Sequence, residues 1–210
     1  MCGCIGITSA HSDHAIDLLQ IGEIGTEAAP SDRILPSEPV AVVVAEDGAR
    51  VLDHYKWGFI PAWANDPKKH KPAINARAET VDTSPYFREA FRKRRCLIIA
   101  TQFYEPYKIP GYKGRVTIRL RSGQMMCLAG VWEEWQGVRR CAIITTPPNE
   151  VIEPYHDRAP AILNDTEVDI WLDHSRFDAA ELKSLLQPYP SDELEVEVPE
   201  VEIEQIQLPL

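Results

Sequence analysis

The chain has 210 residues, of which 44% are hydrophobic and 26% charged, and its formal net charge is −10. This size and composition predict one globular domain over residues 1–210 with enough apolar material for a core, and they exclude a low-complexity chain. No apolar run reaches the length of a membrane span, so we expect no membrane association.

Positive charge is concentrated in the middle of the chain. Residues 1–53 carry 2 basic and 9 acidic side chains, residues 54–146 carry 17 and 7, and residues 147–210 carry 3 and 16. A basic segment between acidic ends is the asymmetry that a local phosphate-binding surface would produce, although solvated faces that happen to cluster would give the same pattern. Charge alone leaves both interpretations open.

The five cysteines, at positions 2, 4, 96, 127 and 141, are an odd number with no secretory signal before them. This favours a reducing cytoplasm over a disulfide framework. Cys96, Cys127 and Cys141 lie in apolar, strand-like runs and are predicted to be buried. Cys2 and Cys4 have no second pair of ligands, so we expect neither a metal nor another cofactor.

The first predicted elements are a helix and two strands. Residues 12–20 have helical spacing, with Ser12 as a possible cap. Residues 40–46 and 51–59 read as strands separated by the turn Asp47-Gly48. Turn residues between two apolar runs favour an antiparallel hairpin.

A loop and a basic helix follow. Residues 60–74 are rich in Pro, Asn and Lys and predict an irregular connection. Ser84 and Pro85 are typical of a helix start, and we predict a helix over residues 86–95. Its last turn is basic, which suits the negative end of a helix dipole.

The remaining pattern is mostly strand. Strands are predicted at residues 96–104, 116–121, 125–132 and 139–146, and short helices at 167–172 and 178–187. Residues 192–210 alternate acidic and apolar side chains, which suits an edge strand. The predicted fold class is α+β, mostly antiparallel β, with helices at the periphery.

The first residues could carry chemistry. Removal of Met1 would expose Cys2 with a thiol and a free α-amine on adjacent carbons. An aldehyde condenses with such an amine to an imine, and the thiol can then close a thiazolidine ring. An α-amine has a pKa of about 8 against about 10.4 for lysine, so a few hundred-fold more of it is unprotonated near neutral pH. A terminal cysteine alone remains a weak signal.

Further motifs make the interpretation specific. In order along the chain they are residues 1–3 (MCG), 57–63 (WGFIPAW), 75–80 (NARAET), 95–99 (RCLII), 103–105 (FYE), 129–133 (AGVWE), 143–149 (IITTPPN) and 156–163 (HDRAPAIL). Together they resemble the SRAP family, the SOS response-associated peptidases that process abasic sites. The resemblance covers about residues 1–4 and 55–173, and it implies a barrel-like SRAP fold.

The resemblance also implies roles for individual residues. The exposed Cys2, after self-processing removes Met1, would form a thiazolidine with the ring-opened sugar of an abasic site. Asn75 would orient the terminal amine or the sugar, and Arg77 would bind a flanking phosphate. Glu105 and His156 fall on the remaining catalytic positions, and both side-chain types suit the proton transfers that ring opening and carbinolamine dehydration need.

Other side chains suit a DNA partner. Arg158, like Arg77, can bind phosphate through two parallel hydrogen bonds. Trp57 and Trp63, with Phe59, could stack on or wedge between bases, although tryptophans more often belong to the core. The predicted partner is single-stranded DNA containing abasic sites, bound by a monomer that is cytoplasmic and either associated with a bacterial nucleoid or encoded by a phage.

Four positions depart from the usual family pattern. Cys4 stands where the family usually has Arg, Gln102 where it has Gly, Pro106 where it has Trp, and Ala159 where it has Met. We expect these changes to affect DNA affinity and strand geometry more than the covalent step. Cys4 also adds a second thiol near the nucleophile.

Two other function classes stay open at this point. One is an N-terminal cysteine peptidase that acts on other proteins, which would turn over peptides without abasic DNA. The other is a non-catalytic module for single-stranded DNA, whose salt-sensitive binding would survive loss of the thiol.

Overall fold

The computed structural model describes residues 2–8, 19–25, 30–66, 68–109, 112–175 and 177–199. Within these ranges the chain forms two β-sheets and a few short helices. The predicted helix at 12–20 lies almost entirely outside the described residues. No helix in the described ranges has the length and apolar character needed to cross a bilayer.

The larger sheet contains a closed barrel. Its five strands are β4 (Pro39–Glu46), β5 (Ala49–Trp57), β7 (Arg95–Ala100), β10 (Met126–Trp135) and β11 (Val138–Thr146). They follow the order β11-β10-β7-β4-β5, and a parallel pairing between β11 and β5 closes the ring. Short strands extend it: β2 (Ile21–Ile24), β6 (Asn75–Arg77), β12 (Ala159–Pro160) and β13 (Ile162–Leu163).

The second sheet carries the beginning of the chain. Its order is β14-β9-β8-β1-β3, where β1 is Ile5–Ile7, β3 is Ser31–Ile34, β8 is Gln102–Ile109, β9 is Tyr112–Leu120 and β14 is Leu194–Glu197. β1 is therefore an interior strand, paired on both sides. Gly6 permits this close pairing, because a Cβ there would overlap the carbonyl oxygen of Asp32 on β3.

Alternation along the barrel strands divides the core in two. On β4, Ala41 and Val43 join a cluster that includes residues of the helices, whereas Val42 and Val44 join a cluster shared with the second sheet. Strands that are buried on both faces read as continuous apolar runs, as β4 does. Cys2 belongs to the cluster between barrel and second sheet.

The helices are short and peripheral. They are α1 (Arg88–Lys93), α2 (Asp165–Leu172) and α3 (Ala179–Ser184). Buried Arg95 caps two of them: its Nη1 donates to the carbonyl oxygens of Phe91 and Arg92, both 3.1 Å away, and its Nε donates to that of Trp171 at 2.7 Å. The positive charge predicted at the C-terminal end of α1 is therefore supplied in part by Arg95, which belongs to β7.

The predicted fold class is confirmed: α+β, mostly antiparallel, barrel-like, with peripheral helices. Several predicted bounds are wrong, and two of these differences have a clear structural reason. The helix predicted over 86–95 ends at Lys93, because Arg95 already belongs to β7. The strand predicted over 96–104 is two strands in different sheets, separated at Thr101. The predicted acidic edge strand is confirmed for Leu194–Glu197, and residues 200–210 lie outside the described ranges.

Candidate functional site

Cys2 lies just before β1 (Ile5–Ile7) and is fully buried. The strand is anchored to its neighbour, because the backbone N–H of Tyr104 donates to the carbonyl oxygen of Cys4 at 3.0 Å and that of Thr101 donates to the carbonyl oxygen of Gly6 at 2.8 Å. The second residue of the chain is therefore in a fixed position. Cys96, Cys127 and Cys141 are also buried, as predicted.

Asn75 contacts the backbone of Cys2 directly. Its Nδ2 donates to the Cys2 carbonyl oxygen at 2.9 Å. Asn75 is positioned by β6, which runs parallel to β11 so that Asn75 lies opposite Ile143. Its other amide atom, Oδ1, is buried and has no hydrogen-bond partner among the described residues. The side chain therefore has acceptor capacity left beside the candidate nucleophile.

Glu105 is the charged group whose field acts on the Cys2 thiol. It lies on β8, the strand next to β1, and is buried. Burial raises the pKa of the Cys2 thiol far above its ordinary value, and the negative charge of Glu105 raises this pKa further. A hydrogen bond from the backbone of Cys4 acts in the opposite direction and is the smaller effect. The thiol is consequently protonated at neutral pH.

His156 lies on the loop between β11 and β12, with its side chain 19% exposed. Its Nδ1 accepts a hydrogen bond from the backbone N–H of Arg158 at 3.0 Å and lies 2.8 Å from Oδ1 of Asp157. The neighbouring Tyr155 packs against the same core cluster that contains Cys2. The loop thus borders the nucleophile's side of the barrel, and a direct role for His156 in the reaction stays a prediction.

The two predicted phosphate-binding arginines differ in their surroundings. Arg77 is exposed at the end of β6 and forms no ion pair within the described ranges. Arg158 forms a bidentate ion pair with Glu79, with N–O distances of 2.6 and 2.8 Å, and also donates to Thr145. This pairing lowers the pKa of Glu79. Arg158 would have to release Glu79 before binding phosphate, so its DNA contact stays a prediction.

The two tryptophans predicted to stack on bases also differ in their exposure. Trp57 is fully buried, and its Nε1 donates to the carbonyl oxygen of Ile74 at 2.9 Å. The stacking expected of Trp57 is therefore corrected, because a buried ring has no free face for a base. Trp63 is 52% exposed and contacts His70 and Tyr86 edge-on, with ring centroids 4.9 and 6.1 Å apart. Trp63 keeps an accessible ring.

Sequence analysis missed Arg33 and Arg115. They lie on β3 and β9, and both side chains line a cleft beside the buried Cys4. Burial raises the pKa of the Cys4 thiol, and the positive charges of Arg115 and Arg33 lower it by a smaller amount. Only the departure at position 4 drew attention to this region, because the pairing of β1, β8 and β9 that brings the arginines there is not visible in the sequence.

Metal binding has no structural support in the described ranges: His, Cys, Asp and Glu side chains do not gather there in any group of three that could hold an ion. Cys2, Asn75 and Glu105 come from three separate parts of the chain, yet Asn75 hydrogen-bonds the Cys2 backbone and the charge of Glu105 acts on the Cys2 thiol. The Cys2 thiol is therefore protonated within the field of the Glu105 carboxylate, and Asn75 holds the Cys2 backbone in place.

Several known proteins are similar to this chain in sequence or in fold. The "Abasic site processing protein YoqW" of Bacillus subtilis (strain 168) is 37% identical over 203 residues, covering 93% of this chain and 90% of that protein. The "Abasic site processing protein HMCES" of Xenopus tropicalis is 28% identical over 172 residues, covering 69% of this chain and 51% of that protein. A crystal structure of a protein from Bordetella bronchiseptica has a TM-score of 0.81 at 22% identity, covering 95% of this chain and 100% of that one.

The family match extends over nearly the whole chain. The model of the family described as "SOS response associated peptidase (SRAP)" matches residues 1–204. That range includes Cys2, Asn75, Glu105 and His156, the four residues predicted to act in catalysis. The chain therefore belongs to the SOS response associated peptidase (SRAP) family.

Proposed function

We propose that this protein processes abasic sites in single-stranded DNA by forming a covalent bond to them through Cys2. The observation that carries the proposal is the hydrogen bond from Asn75 to the Cys2 carbonyl oxygen, together with the charge of buried Glu105 acting on the Cys2 thiol. It fixes the residue that would present both amine and thiol. The names of the relatives, which are abasic site processing proteins, support the same substrate.

The amine has to be freed first. We propose that the chain removes its own Met1, with the Cys2 thiol attacking the Met1 carbonyl carbon. The acyl group would move from nitrogen to sulfur, and water would then hydrolyse the thioester, releasing methionine and restoring the thiol. Nucleophilic catalysis of this kind divides one difficult hydrolysis into two easier steps.

The proposed crosslinking reaction releases one water and needs no cofactor. The freed α-amine adds to the aldehyde carbon of the ring-opened sugar and gives a carbinolamine. Loss of one water yields an imine, and the Cys2 sulfur then adds to the imine carbon while its proton ends on nitrogen. The product is a thiazolidine, in which carbon–nitrogen and carbon–sulfur bonds have replaced the aldehyde oxygen.

The surrounding groups suit these proton transfers. The raised pKa of the Cys2 thiol keeps the sulfur protonated until a base removes its proton, so the amine reacts first. Glu105 is the proposed base for ring closure. His156 is the proposed acid for loss of water, and Asn75 positions the amine through the Cys2 backbone. Proton transfer by a placed side chain typically contributes about a hundred- to ten-thousand-fold.

The DNA strand would lie along exposed groups of the same region. We propose that Arg77 binds a flanking phosphate and that Trp63 stacks on a base, with Arg158 joining once Glu79 is released. We further propose one SRAP domain over residues 1–210 that acts as a monomer in the cytoplasm. The free cysteines support the cytoplasmic location, because that compartment keeps thiols reduced.

A denaturing gel with an abasic single-stranded oligonucleotide tests the proposal. Wild-type protein should give a band that survives denaturant, and intact DNA should give none. Cys2→Ala should abolish the band. Cys4→Ala is the matched control, because it removes the neighbouring thiol and should leave the band in place. Mass spectrometry of the free protein should show a chain shorter by Met1.

Three results would contradict the proposal. The first is a covalent band that persists in Cys2→Ala. The second is turnover of peptides without any reaction with abasic DNA, which would favour a peptidase acting on other proteins. The third is salt-sensitive binding that never becomes covalent, which would favour a non-catalytic binding module.

A further inference from the structure

Two tyrosine rings meet between the strand that carries Glu105 and the loop that carries His156. The ring centroids of Tyr107 and Tyr155 are 6.2 Å apart, and the ring planes are inclined by 53°. A tilted pair at this separation is a favourable aromatic contact. Both rings are partly buried, and both pack against the core cluster that contains Cys2. The pair therefore lies on the side of the fold that holds the candidate nucleophile.

Tyr107 shares a face of β8 with Glu105. Side chains two positions apart on a strand point to the same side, and their Cα atoms are about 6–7 Å apart. Burial follows this alternation, because Phe103 and Glu105 are buried whereas Pro106 is exposed. The Tyr107 ring is thus fixed relative to the carboxylate that we propose as the base.

Tyr155 is tied in the same way to His156, which follows it in the chain. The backbone N–H groups of Tyr155 and His156 both donate to the carbonyl oxygen of Ile152, at 2.9 and 3.0 Å. Ile152 is itself buried in the cluster that contains Cys2. Tyr155 and His156 therefore belong to one turn, and a shift of the Tyr155 ring would move the backbone of His156 with it.

The ring pair joins parts of the chain that belong to different sheets. β8 lies in the second sheet, whereas the His156 loop connects β11 and β12 of the barrel sheet. The proposed base and the proposed acid are thus carried by separate sheets, and both have to reach one sugar. A group that transfers a proton must come within about 3 Å of the atom that gives or takes it. The reaction therefore needs a contact that fixes the loop against β8.

We propose that Tyr107 and Tyr155 are positioning residues for crosslinking, and that their ring contact holds the His156 loop against β8 so that His156 and Glu105 reach the same bound sugar. This inference rests on the proposed function. The two tyrosines act through His156 rather than by touching the DNA. Phenylalanine at either position keeps the ring, whereas leucine keeps apolar volume and removes the aromatic contact.

The single-turnover rate of crosslinking, measured at varied concentrations of abasic oligonucleotide, tests the pair. Tyr107→Leu and Tyr155→Leu should each lower the maximal rate about three- to tenfold, the loss expected from one aromatic contact. The half-saturating DNA concentration should stay within about twofold, because the rings do not bind DNA. Tyr107→Phe and Tyr155→Phe should keep the rate within about twofold of wild type.

Tyr189→Leu is the matched control. Tyr189 is also partly buried against the cluster that contains Cys2, but it follows α3 and lies neither on β8 nor on the His156 loop. The same substitution there should lower the midpoint of thermal unfolding by a similar amount and leave the maximal rate within about twofold. The comparison separates a loss of position from a general loss of stability.

A double-mutant cycle with His156→Ala tests whether the tyrosines act through the histidine. Substitutions that act through one shared group are not additive. His156→Ala alone should lower the maximal rate about a hundredfold or more. Tyr107→Leu should then change the rate of the His156→Ala protein by less than about twofold.

Hydrogen exchange measures the anchoring of the loop without any DNA. Local openings determine how fast backbone amides exchange, so a loop that loses an anchor becomes less protected. Amides in residues 152–157 should exchange several-fold faster in Tyr107→Leu than in wild type. Their exchange in Tyr189→Leu should match wild type.

The possible failures are distinguishable. The positioning role is refuted if the leucine variants at the ring pair react as fast as Tyr189→Leu, if the phenylalanine variants lose as much rate as the leucine variants, or if loop exchange is unchanged. It is also refuted if Tyr107→Leu slows the His156→Ala protein by the same factor as wild type. All of these results leave crosslinking through Cys2 intact. A wild-type protein that never crosslinks to abasic DNA would instead refute the proposed function, and the positioning role with it.

Discussion

The hydrogen bond from Asn75 to Cys2 gives the sharpest single test of the site. Asn75→Ala removes the amide that donates to the Cys2 carbonyl oxygen at 2.9 Å. Removal of this donor from a partly buried carbonyl costs about 1–3 kcal/mol. If that energy holds the amine in its reactive position, the crosslinking rate falls about 5- to 150-fold, because each 1.36 kcal/mol is tenfold in rate.

The assay is the single-turnover rate of crosslink formation, measured with excess abasic oligonucleotide and paired with urea denaturation. Asn149→Ala is the matched control, because the Asn149 amide also donates from a partly buried position to a backbone carbonyl, that of Tyr189 at 2.8 Å. Asn149→Ala should lose at least as much free energy of unfolding as Asn75→Ala, because the Asn149 Oδ1 also accepts a hydrogen bond from the backbone N–H of Ile152 at 3.1 Å. Only Asn75→Ala should lose rate. Equal rate losses in the two variants would refute a specific positioning role for Asn75.

Other consequences can be measured on the same protein. Glu105→Gln, which keeps the shape of the side chain, should slow crosslinking about a hundredfold or more if this carboxylate is the base, and a wild-type rate would exclude that role. Glu79→Gln should cost about 0.5–1 kcal/mol of stability, since its pair with Arg158 is partly exposed, and should tighten DNA binding; unchanged binding would speak against a phosphate contact by Arg158. Trp63→Ala should weaken binding of single-stranded DNA several-fold without lowering the midpoint of thermal unfolding, and unaltered affinity would remove it from the interface. Burial raises the pKa values of the thiols in the folded state. Their contribution to the free energy of unfolding should therefore be constant below about pH 9 and should fall as the pH rises above it, because the unfolded chain then loses its thiol protons first. Urea titrations that show no loss of stability up to about pH 10.5 would contradict this.

Sequence patterns predicted those parts of the fold that are local. The hairpin of β4 and β5 follows from its turn, where Asp47 and Gly48 both have positive φ, the backbone that two-residue hairpins need. The break at Thr101 was not predictable, because no glycine, proline or turn sequence separates β7 from β8 and nothing in the sequence tells which sheet each strand joins. The same limit applies to the very short strands β1, β3 and β6, whose pairing partners are distant in the chain.

The candidate site was identified only through family resemblance. Cys2, Asn75 and Glu105 are separated by 73 and 30 positions, and no periodicity links them. Their meeting depends on β6 lying beside β11 and on β1 lying beside β8. Trp57 and Trp63 belong to one sequence motif, so the sequence did not tell which of them is accessible to DNA. The structure distinguishes them, because Trp57 is buried and Trp63 is exposed. Arg33 and Arg115 had no motif and required the sheet pairing itself.

The interior position of β1 has a consequence for the fate of a crosslinked molecule. A DNA strand bonded to Cys2 would be attached just before β1, a strand paired on both sides with β8 and β3 as neighbours. Exposed loops can be cut by proteases without freeing that attachment, because local openings of the surface leave paired interior strands protected. Clearing the DNA of its protein would therefore require global unfolding, or reversal of the bond itself, so the lifetime of the adduct would be set by the stability of the domain.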